Sequence, residues 1–359
     1  HTTLIEVARA AGMHVSTVSR VLNGSAAEAE HAASPDTVER IRQIARSLDY
    51  HPNQLARSLK ERRSRMVGVL MPGVTDLVLA QIYEAIEFEA TRLGYESIVA
   101  NTHDQAELQA ARSSILLDRR VDGLILGDVP WEGGYAHDLR TRHVPLVLVS
   151  RFAADFPYVV VDDFGGGRAM AHHFADLGHQ RVAVLAGRAK ASTGRERTRG
   201  FVQGMAERGI TVRPNCIVHT EFTTESGYSV SRNLLETHPE ITALFACNDF
   251  DALGVLGAAR QVGRTPGMDI AIGGFNNIAL AEHLTIPLTT VHSPRSDMGQ
   301  RAVRMLIDII DGRSTGEQVV LPTRLIVRAS SCSAPLSRPR TSPKPSSAAP
   351  SPACATCST

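Results

Sequence analysis

Residues 3–24 read Thr3-Leu4-Ile5-Glu6-Val7-Ala8-Arg9-Ala10-Ala11-Gly12-Met13-His14-Val15-Ser16-Thr17-Val18-Ser19-Arg20-Val21-Leu22-Asn23-Gly24, and this stretch decides the architecture of the first domain. Thr3-Leu4-Ile5-Glu6 has the capping-box spacing, in which the Thr hydroxyl takes an exposed amide and the Glu reaches back to the cap. Leu4, Val7, Ala8 and Ala11 then give a short helix one apolar face. Gly12 permits the positive φ of a tight turn. A second short helix runs from about His14 to Leu22, with Val15, Val18, Val21 and Leu22 apolar. Ala8 is small where the two helices would cross, and Gly12 and Val18 follow at the spacing of a helix-turn-helix, whose second helix enters the DNA major groove. The exposed polar residues of that helix would be Ser16, Thr17, Ser19 and Arg20. An Arg reads guanine through two hydrogen bonds, worth ~1–3 kcal/mol of discrimination. Two helices joined in this way also build cores that never meet DNA, so the motif alone leaves both readings open.

The flanking sequence extends the helical unit. Ser34-Pro35 reads as a cap followed by the first helical residue. Val38, Ile41, Ile44, Ala45 and Leu48 form the apolar face of a third helix, which Tyr50-His51-Pro52 stops. The stretch Gly24 to Ala33 between the second and third helices reads as a loop. Asn53 to Lys60 is a further potential helix, too short to stand alone in water. Arg57, Lys60, Arg62, Arg63 and Arg65 face a single anion there, Glu61. Such a run is usually a solvated linker.

From Met66 the pattern alternates strand and helix. Apolar β-branched runs such as 66–70, 123–126, 145–149 and 159–161 are separated by amphipathic helices. The alternation restarts at 181–185 and continues through 217–218, 243–246 and 270–272. This pattern predicts an α/β fold with parallel sheets covered on both faces. The restart predicts two Rossmann-like lobes with ligand near the strand C-termini, a periplasmic-binding-protein-like core.

Composition narrows the classes. The chain is 43% hydrophobic, enough for ordinary cores and too much for a wholly disordered chain. No run of 18 or more apolar residues occurs, so no membrane association is expected. The N-terminus lacks a charged-then-apolar signal segment, and Cys216, Cys247, Cys332, Cys354 and Cys357 are scattered, so a cytoplasmic protein with reduced thiols is expected. The net charge of +1 conceals an uneven distribution. Residues 1–65 carry ten Lys/Arg and seven Asp/Glu, whereas residues 66–330 carry 25 and 30. The cations gather at Arg57 to Arg65, so phosphate contact should be focused there and affinity should fall with salt.

Thr3 to Ala8, Gly12, the string Ser16-Thr17-Val18-Ser19-Arg20-Val21-Leu22-Asn23-Gly24 and Tyr50-His51-Pro52-Asn53 together resemble the LacI/GalR family of bacterial transcription regulators. The resemblance continues to about Arg328, through Asp122 to Leu126, Leu177-Gly178-His179, Phe222 to Tyr228, Asn248-Asp249, Ala252-Leu253-Gly254, Gly273-Gly274-Phe275 and Pro287 to Val291. It implies a three-helix DNA-binding head over residues 1–52, a hinge helix and linker over 53–65, and a two-lobed core over 66–330. The lobes would comprise about 66–163 with 294–321, and about 164–293 with 322–330. Residues 331–359 match nothing in the family and read as a disordered Ser/Pro/Ala-rich tail.

The resemblance also implies roles. Val15, Ser16 and Arg20 would face bases, with Thr3, His14, Thr17, Ser19 and Asn23 in the same DNA-binding set. The hinge segment would fold only on operator DNA, with Asn53 as its cap, Ala56 in the minor groove, Arg57 beside it and Leu59 wedged between base pairs. Such a wedge costs a few kcal/mol of unstacking in order to kink the duplex. Asp76, Leu79, Thr193, Arg197, Phe222 and Asn248 would hold an effector between the lobes, most simply a sugar or sugar derivative. For any one of these, Phe222 above all, ordinary packing is the competing reading. The implied protein is a homodimeric repressor on a pseudo-palindromic operator, without cofactor or metal and not an enzyme. Ligand would act by changing the lobe angle.

Four departures stand out. His14 replaces the usual Ser or Thr cap of the recognition helix. A His cap is weaker, and histidine changes charge near neutral pH, which would matter beside phosphate. The 24–33 segment is longer than usual and carries Glu28 and Glu30. Ser150 and Asn276 stand where sugar- and nucleobase-binding members commonly have Asp. Because a carboxylate accepts a hydrogen bond about twice as strong as a neutral group does, these losses predict a less anionic cleft and a ligand with negative charge near Arg197.

Other motifs lead nowhere. Gly312-Arg313-Ser314-Thr315-Gly316 fits the nucleophile elbow, but it follows a helix and precedes a strand, the reverse of the required order. His172, His173 and His179 lack partners at metal-ligand spacing. Gly165-Gly166-Gly167 lacks the dinucleotide G-x-G-x-x-G order. A solute-binding protein of the same core fold is the alternative function. It predicts a leader and no residues 1–60. A Rossmann enzyme predicts a dinucleotide fingerprint, which is missing.

Overall fold

Thr3 closes the capping box that begins α1 (Leu4–Ala11): its hydroxyl accepts from the Glu6 amide, and Glu6 Oε2 accepts from the Thr3 amide at 2.7 Å. Gly12 ends the helix at φ 65°, and α2 (Val15–Asn23) follows at once. The computed structural model describes residues 2–24, 26–50 and 63–331. Asn53, Ala56, Arg57 and Leu59 therefore lie outside the described residues, as does the tail from Cys332.

The loop expected between Gly24 and Ala33 is instead a helix, α3 (Ala26–Ala32). Its sequence is almost entirely Ala and Glu, strong helix formers, and Ala29 is buried among Val7, Ala8, Ala11, Val18 and Val21. Among its described residues the head thus has four helices, closed by α4 (Pro35–Ser47), whose Val38, Ile41 and Ala45 complete the core. Pro35 occupies the first turn of α4 as expected, but the Ser34 hydroxyl bonds the Thr37 hydroxyl at 2.9 Å rather than capping an amide. Arg40 donates to the Ala11 carbonyl at 3.2 Å, satisfying an acceptor at the end of α1.

The body alternates as its sequence predicts. In order come β1 (Met66–Met71), α5 (Leu77–Arg92), β2 (Glu96–Asn101), α6 (Ala106–Asp118), β3 (Gly123–Leu126), α7 (Ala136–Thr141), β4 (Leu146–Val149), β5 (Tyr158–Val161) and α8 (Asp163–Asp176). Then follow β6 (Val182–Leu185), α9 (Ser192–Ala206), β7 (Ile217–Val218), α10 (Thr224–Thr237), β8 (Ala243–Ala246), α11 (Asp249–Gln261), β9 (Ala271–Asn276), β10 (Thr289–His292), α12 (Arg295–Ile310), β11 (Gln318–Leu321) and β12 (Arg324–Ile326). One six-stranded sheet has the order β11-β5-β4-β3-β1-β2 and the other β12-β10-β9-β8-β6-β7. Pairing is parallel from β11 through β2 in the first sheet, and among β7, β6, β8 and β9 in the second. The central strands β1, β3, β4, β6, β8 and β9 are buried along almost their whole length, as sheets covered on both faces require, whereas the edge strands β2, β7, β11 and β12 are half-buried to exposed along most of theirs.

The chain divides into two compact units. The first comprises residues up to Gly166 with Arg188–Arg197 and His292–Arg324; the second comprises Gly167–Gly187, Thr198–Val291 and the residues from Leu325. In the second unit, α10 and α11 pack backbone to backbone. A Cβ on Gly254 would lie 2.3 Å from the Thr224 carbonyl oxygen, and one on Gly227 would lie 2.6 Å from Asp251 Cα. That close approach is why both positions are glycine. No helix among the described residues is long and apolar enough to cross a membrane.

Candidate functional sites

His14 caps α2. Its Nδ1 accepts from the Ser16 amide at 3.3 Å and lies 2.7 Å from the Ser16 hydroxyl oxygen. The core side of the helix is held by buried Val18 and Val21. Its outer surface presents Ser16 and Arg20, both exposed and four residues apart, hence on one face. His14 and Thr3 are also exposed, whereas Val15, Thr17, Ser19 and Asn23 are half-buried. The helix therefore offers two side chains squarely to a partner, with Val15 at their edge.

The described end of the linker is anchored to the first unit. Arg63 donates to the Asp311 carboxylate and, at 3.0 Å, to the Ile310 carbonyl. Asp122 accepts from the amides of Ser64 and Arg65, both at 2.8 Å. The expected focus of phosphate contact over Arg57 to Arg65 is thereby narrowed: Arg63 is held by an acid of its own chain.

Of the expected effector residues, Asp76, Leu79, Thr193 and Arg197 fall in the first unit, Thr193 and Arg197 through the Arg188–Arg197 segment that the sequence boundaries assign to the second lobe. Asp76 caps α5, accepting from the Val78 amide at 2.8 Å. Burial raises its pKa against the pull of the Val78 and Leu79 amides. Leu79 is buried in the same turn. Thr193 is buried in the first turn of α9, beside Ser192, whose hydroxyl accepts from the Phe152 amide at 3.0 Å. Arg197 is buried and donates through Nε to Asp163 at 2.7 Å. Burial pushes Asp163 up to about 6 despite that guanidinium, and its Oδ2 has no hydrogen-bond partner among the described residues.

Ser150 directly follows β4 in a left-handed conformation at φ 66°, half-buried. The next residue, Arg151, is buried and binds Asp104 through both nitrogens, at 2.7 and 2.9 Å. Arg188 also donates to Asp104. Burial works to raise the Asp104 carboxyl, but the two guanidiniums outweigh it and hold the group below the usual range. Asp128 is buried and accepts from the Thr102 and Tyr135 hydroxyls, each at 2.5 Å. Sequence reading missed Asp104, Asp128, Arg151, Asp163 and Arg188. The loss of an acid at position 150 therefore does not leave this region short of carboxylates. The charge of Arg197 is met by Asp163, which removes the reason to place an anionic ligand beside it.

In the second unit, Asn248 caps α11. Its Oδ1 accepts from the Asp251 amide at 2.7 Å, and its Nδ2 donates to the Phe222 carbonyl at 3.1 Å. Phe222 is half-buried at φ 62°, its ring against the backbone of Gly187, where a Cβ would lie 2.0 Å away. Asn276 ends β9 at φ 108° and is buried. Buried Asp249 ties this end of the sheet together, accepting from the Thr290 hydroxyl at 2.6 Å and the Ile278 amide at 2.8 Å. Neither Asp249 nor Asp251 carried a role in the sequence reading, although they lie one and three residues after Asn248.

The remaining motifs have structural partners. The 312–316 segment is a turn between α12 and β11, with Ser314 accepting from the Gly316 amide at 3.0 Å. His172 meets Glu207 at 2.7 Å, His173 meets Ser331 at 2.9 Å, and buried His179 meets Thr242 at 2.9 Å. Among the described residues no cluster of three or more potential ligands could hold a metal.

Comparison with known proteins matches the profile "Bacterial regulatory proteins, lacI family" to residues 3–53 and the profile "Periplasmic binding protein-like domain" to residues 171–331. The chain is similar to the HTH-type transcriptional repressor PurR of Klebsiella pneumoniae, 31% identical over 338 residues that span 93% of this chain and 98% of that one. The PurR repressor of Salmonella enteritidis is 32% identical over the same spans. Among solved structures, the Lac repressor dimer bound to operator and the anti-inducer ONPF aligns with a TM-score of 0.83 at 26% identity, covering 92% of this chain and 99% of that one. A complex of the transcriptional regulator CelR with cellobiose aligns with a TM-score of 0.70 at 29% identity, covering 92% and 100%.

Proposed function

The chain belongs to the lacI family of bacterial regulatory proteins and is a ligand-controlled, DNA-binding transcriptional regulator; from that premise we propose which of its residues read operator DNA and which hold its effector. It acts as a repressor and as a dimer, and the solute-binding alternative finds no support in its relatives. We place it in the cytoplasm, on a pseudo-palindromic operator whose two-fold symmetry mirrors that of the dimer. Arg20 and Ser16 are the principal base-reading residues, supported by their joint exposure on α2. Val15 reads the adjacent apolar surface, such as a thymine methyl. Thr3, His14, Thr17, Ser19 and Asn23 set the orientation of α2, and Asn53, Ala56, Arg57 and Leu59 form the hinge contribution by family resemblance alone.

The effector residues are Asp76, Leu79, Ser150, Thr193 and Arg197 in the first unit, and Phe222, Asn248 and Asn276 in the second. The Arg197–Asp163 pair favours a neutral polyol over a sugar phosphate, because the guanidinium already has its counter-charge. The observation that carries the functional reading is α2 itself: a capped helix with an apolar inner face and exposed Ser16 and Arg20, at the position the lacI profile covers.

Selection of binding sites from a random-sequence duplex library by the purified chain tests the first half. Enrichment of an inverted repeat, protected in a footprint, is expected; failure to enrich any sequence would refute it. A thermal-shift panel of cellobiose, other neutral sugars and sugar phosphates tests the second half. A ligand at 100 times its Kd adds about 2.7 kcal/mol of stability. Stabilisation by sugar phosphates alone would overturn the neutral-polyol assignment.

A further inference from the structure

We infer that Asp163 is a specificity-determining residue of the effector site: Arg197 holds one of its carboxyl oxygens, and the other accepts a hydrogen bond from a hydroxyl of a neutral sugar. The inference rests on Arg197 being an effector residue and names the group through which the first unit selects its ligand. Asp163 lies two residues beyond β5, at the C-terminal end of parallel-paired strands, where α/β folds receive their ligands. Asp76, in the connection that follows β1, is near enough to Arg197 to feel its charge. Asp163 is only 3% exposed, and one oxygen accepts from Arg197 Nε at 2.7 Å. An acid at the start of a helix is ordinarily met by the amides of the first turn. Here Asp162 takes them instead. Its carboxylate accepts from the Gly165 amide at 2.7 Å, and its carbonyl from the Gly166 amide at 2.9 Å. A Cβ at position 165 would lie 2.0 Å from Asp162 Oδ2, so glycine is what lets the Asp162 side chain fold over the start of α8. Asp163 Oδ2 is left with no hydrogen-bond partner among the described residues.

A buried carboxylate oxygen needs a donor, and an ionised carboxylate can only accept. Arg197 already supplies the counter-charge. A neutral hydroxyl therefore completes the set, whereas a phosphate would bring a second anion against Asp163. The charges facing Asp163 are those of Arg197, Asp162 and Glu196; burial outweighs the pull of Arg197 and pushes the carboxyl up to about 6. A hydroxyl that donates to the ionised form expels the proton as it binds, so sugar affinity should rise with pH through that value.

Calorimetric titration of the full chain and its Asp163→Asn variant tests the inference. The probe is the neutral sugar that gives the largest thermal shift in a panel of mono- and disaccharides that includes cellobiose. Asn keeps an acceptor for Arg197 and replaces the second oxygen by an uncharged amide. Wild-type affinity should rise about tenfold between pH 5 and pH 7.5. About half a proton should be released per sugar bound at pH 6, read from the heats in two buffers of different ionisation enthalpy. The Asp163→Asn protein should bind about tenfold more weakly at pH 7.5 and lose the pH dependence. A purely structural role would lower the melting temperature of the variant and leave the pH dependence of binding in place. Equal pH dependence in the two proteins, or no proton released by the wild type, would overturn the inference. The proton count needs no variant, so it decides even where Asp163→Asn does not fold. A panel in which no neutral sugar shifts the wild-type melting temperature would instead overturn the effector reading, and this inference with it.

Discussion

Asp251 is an acid placed where water does not reach. It lies in the first turn of α11, fully buried, with Thr220 donating to one carboxyl oxygen at 2.8 Å and the other oxygen without a hydrogen-bond partner among the described residues. Burial pushes its pKa to about 7; Thr220 opposes the rise and Glu221 adds to it. In the unfolded chain the group titrates near 3.9, so the fold favours the protonated acid. The stability it supports is fully present below about pH 4 and is lost as pH rises through about 7. A displacement of this size corresponds to roughly 4 kcal/mol. Asp251→Asn keeps an acceptor for Thr220 and cannot ionise. The melting temperature of the variant relative to wild type should therefore climb between pH 5 and pH 8. A difference that stays constant across that range would show that Asp251 ionises in the fold as freely as in the unfolded chain.

Elements are joined by groups of the opposite kind. Glu89 on α5 accepts from Arg92 of its own helix at 2.9 and 2.6 Å and from Arg304 of α12 at 2.6 Å. These bonds bring its pKa down to about 2. The folded value is below the unfolded one, so the stabilisation is present above about pH 4.3 and is lost as pH falls toward 2. Both arginines are about half exposed and rehydrate when the acid is removed. Glu89→Gln should therefore cost only about 1–2 kcal/mol at pH 7, with the gap narrowing below pH 4. Urea unfolding at pH 7 and pH 3 measures both values, and an equal loss at each would point to packing rather than charge. Gly254→Ala should cost more, because its new Cβ would meet the α10 backbone at 2.3 Å, where nothing flexible can yield. These elements were largely legible in the sequence because each announces itself within a dozen residues, through capping residues, apolar periodicity and turn glycines. α3 is the exception: its seven residues read as part of a loop, although Ala and Glu, strong helix formers, make up almost all of them. The candidate site was less legible. Asp104 and Arg151 are 47 residues apart and Asp104 and Arg188 are 84 apart, and no local spacing encodes which acid meets which arginine.

For the whole molecule, the division of charge governs how DNA is met. Residues 1–65 carry ten Lys/Arg against seven Asp/Glu, whereas residues 66–330 carry 25 against 30, so attraction to phosphate belongs to the first part of the chain. Even there the cations are not equivalent. Arg63 is paired with Asp311 and also donates to the Ile310 carbonyl. A cation already neutralised by its own protein displaces no counterion from DNA and adds nothing to the salt dependence. Arg57→Gln should therefore lower the slope of log affinity against log salt by about 1 for each phosphate that is no longer neutralised, across operator and unrelated duplexes alike. Arg63→Gln should leave that slope unchanged and show its effect as a lower melting temperature of the free protein, because Asp311 loses the hydrogen bond that holds its carboxyl below the usual range. Equal slope changes in the two variants would mean that Arg63 leaves Asp311 when DNA binds. The Arg63–Asp311 pair would then be an ion pair that operator binding breaks, and Asp311→Asn should in that case tighten binding to any duplex.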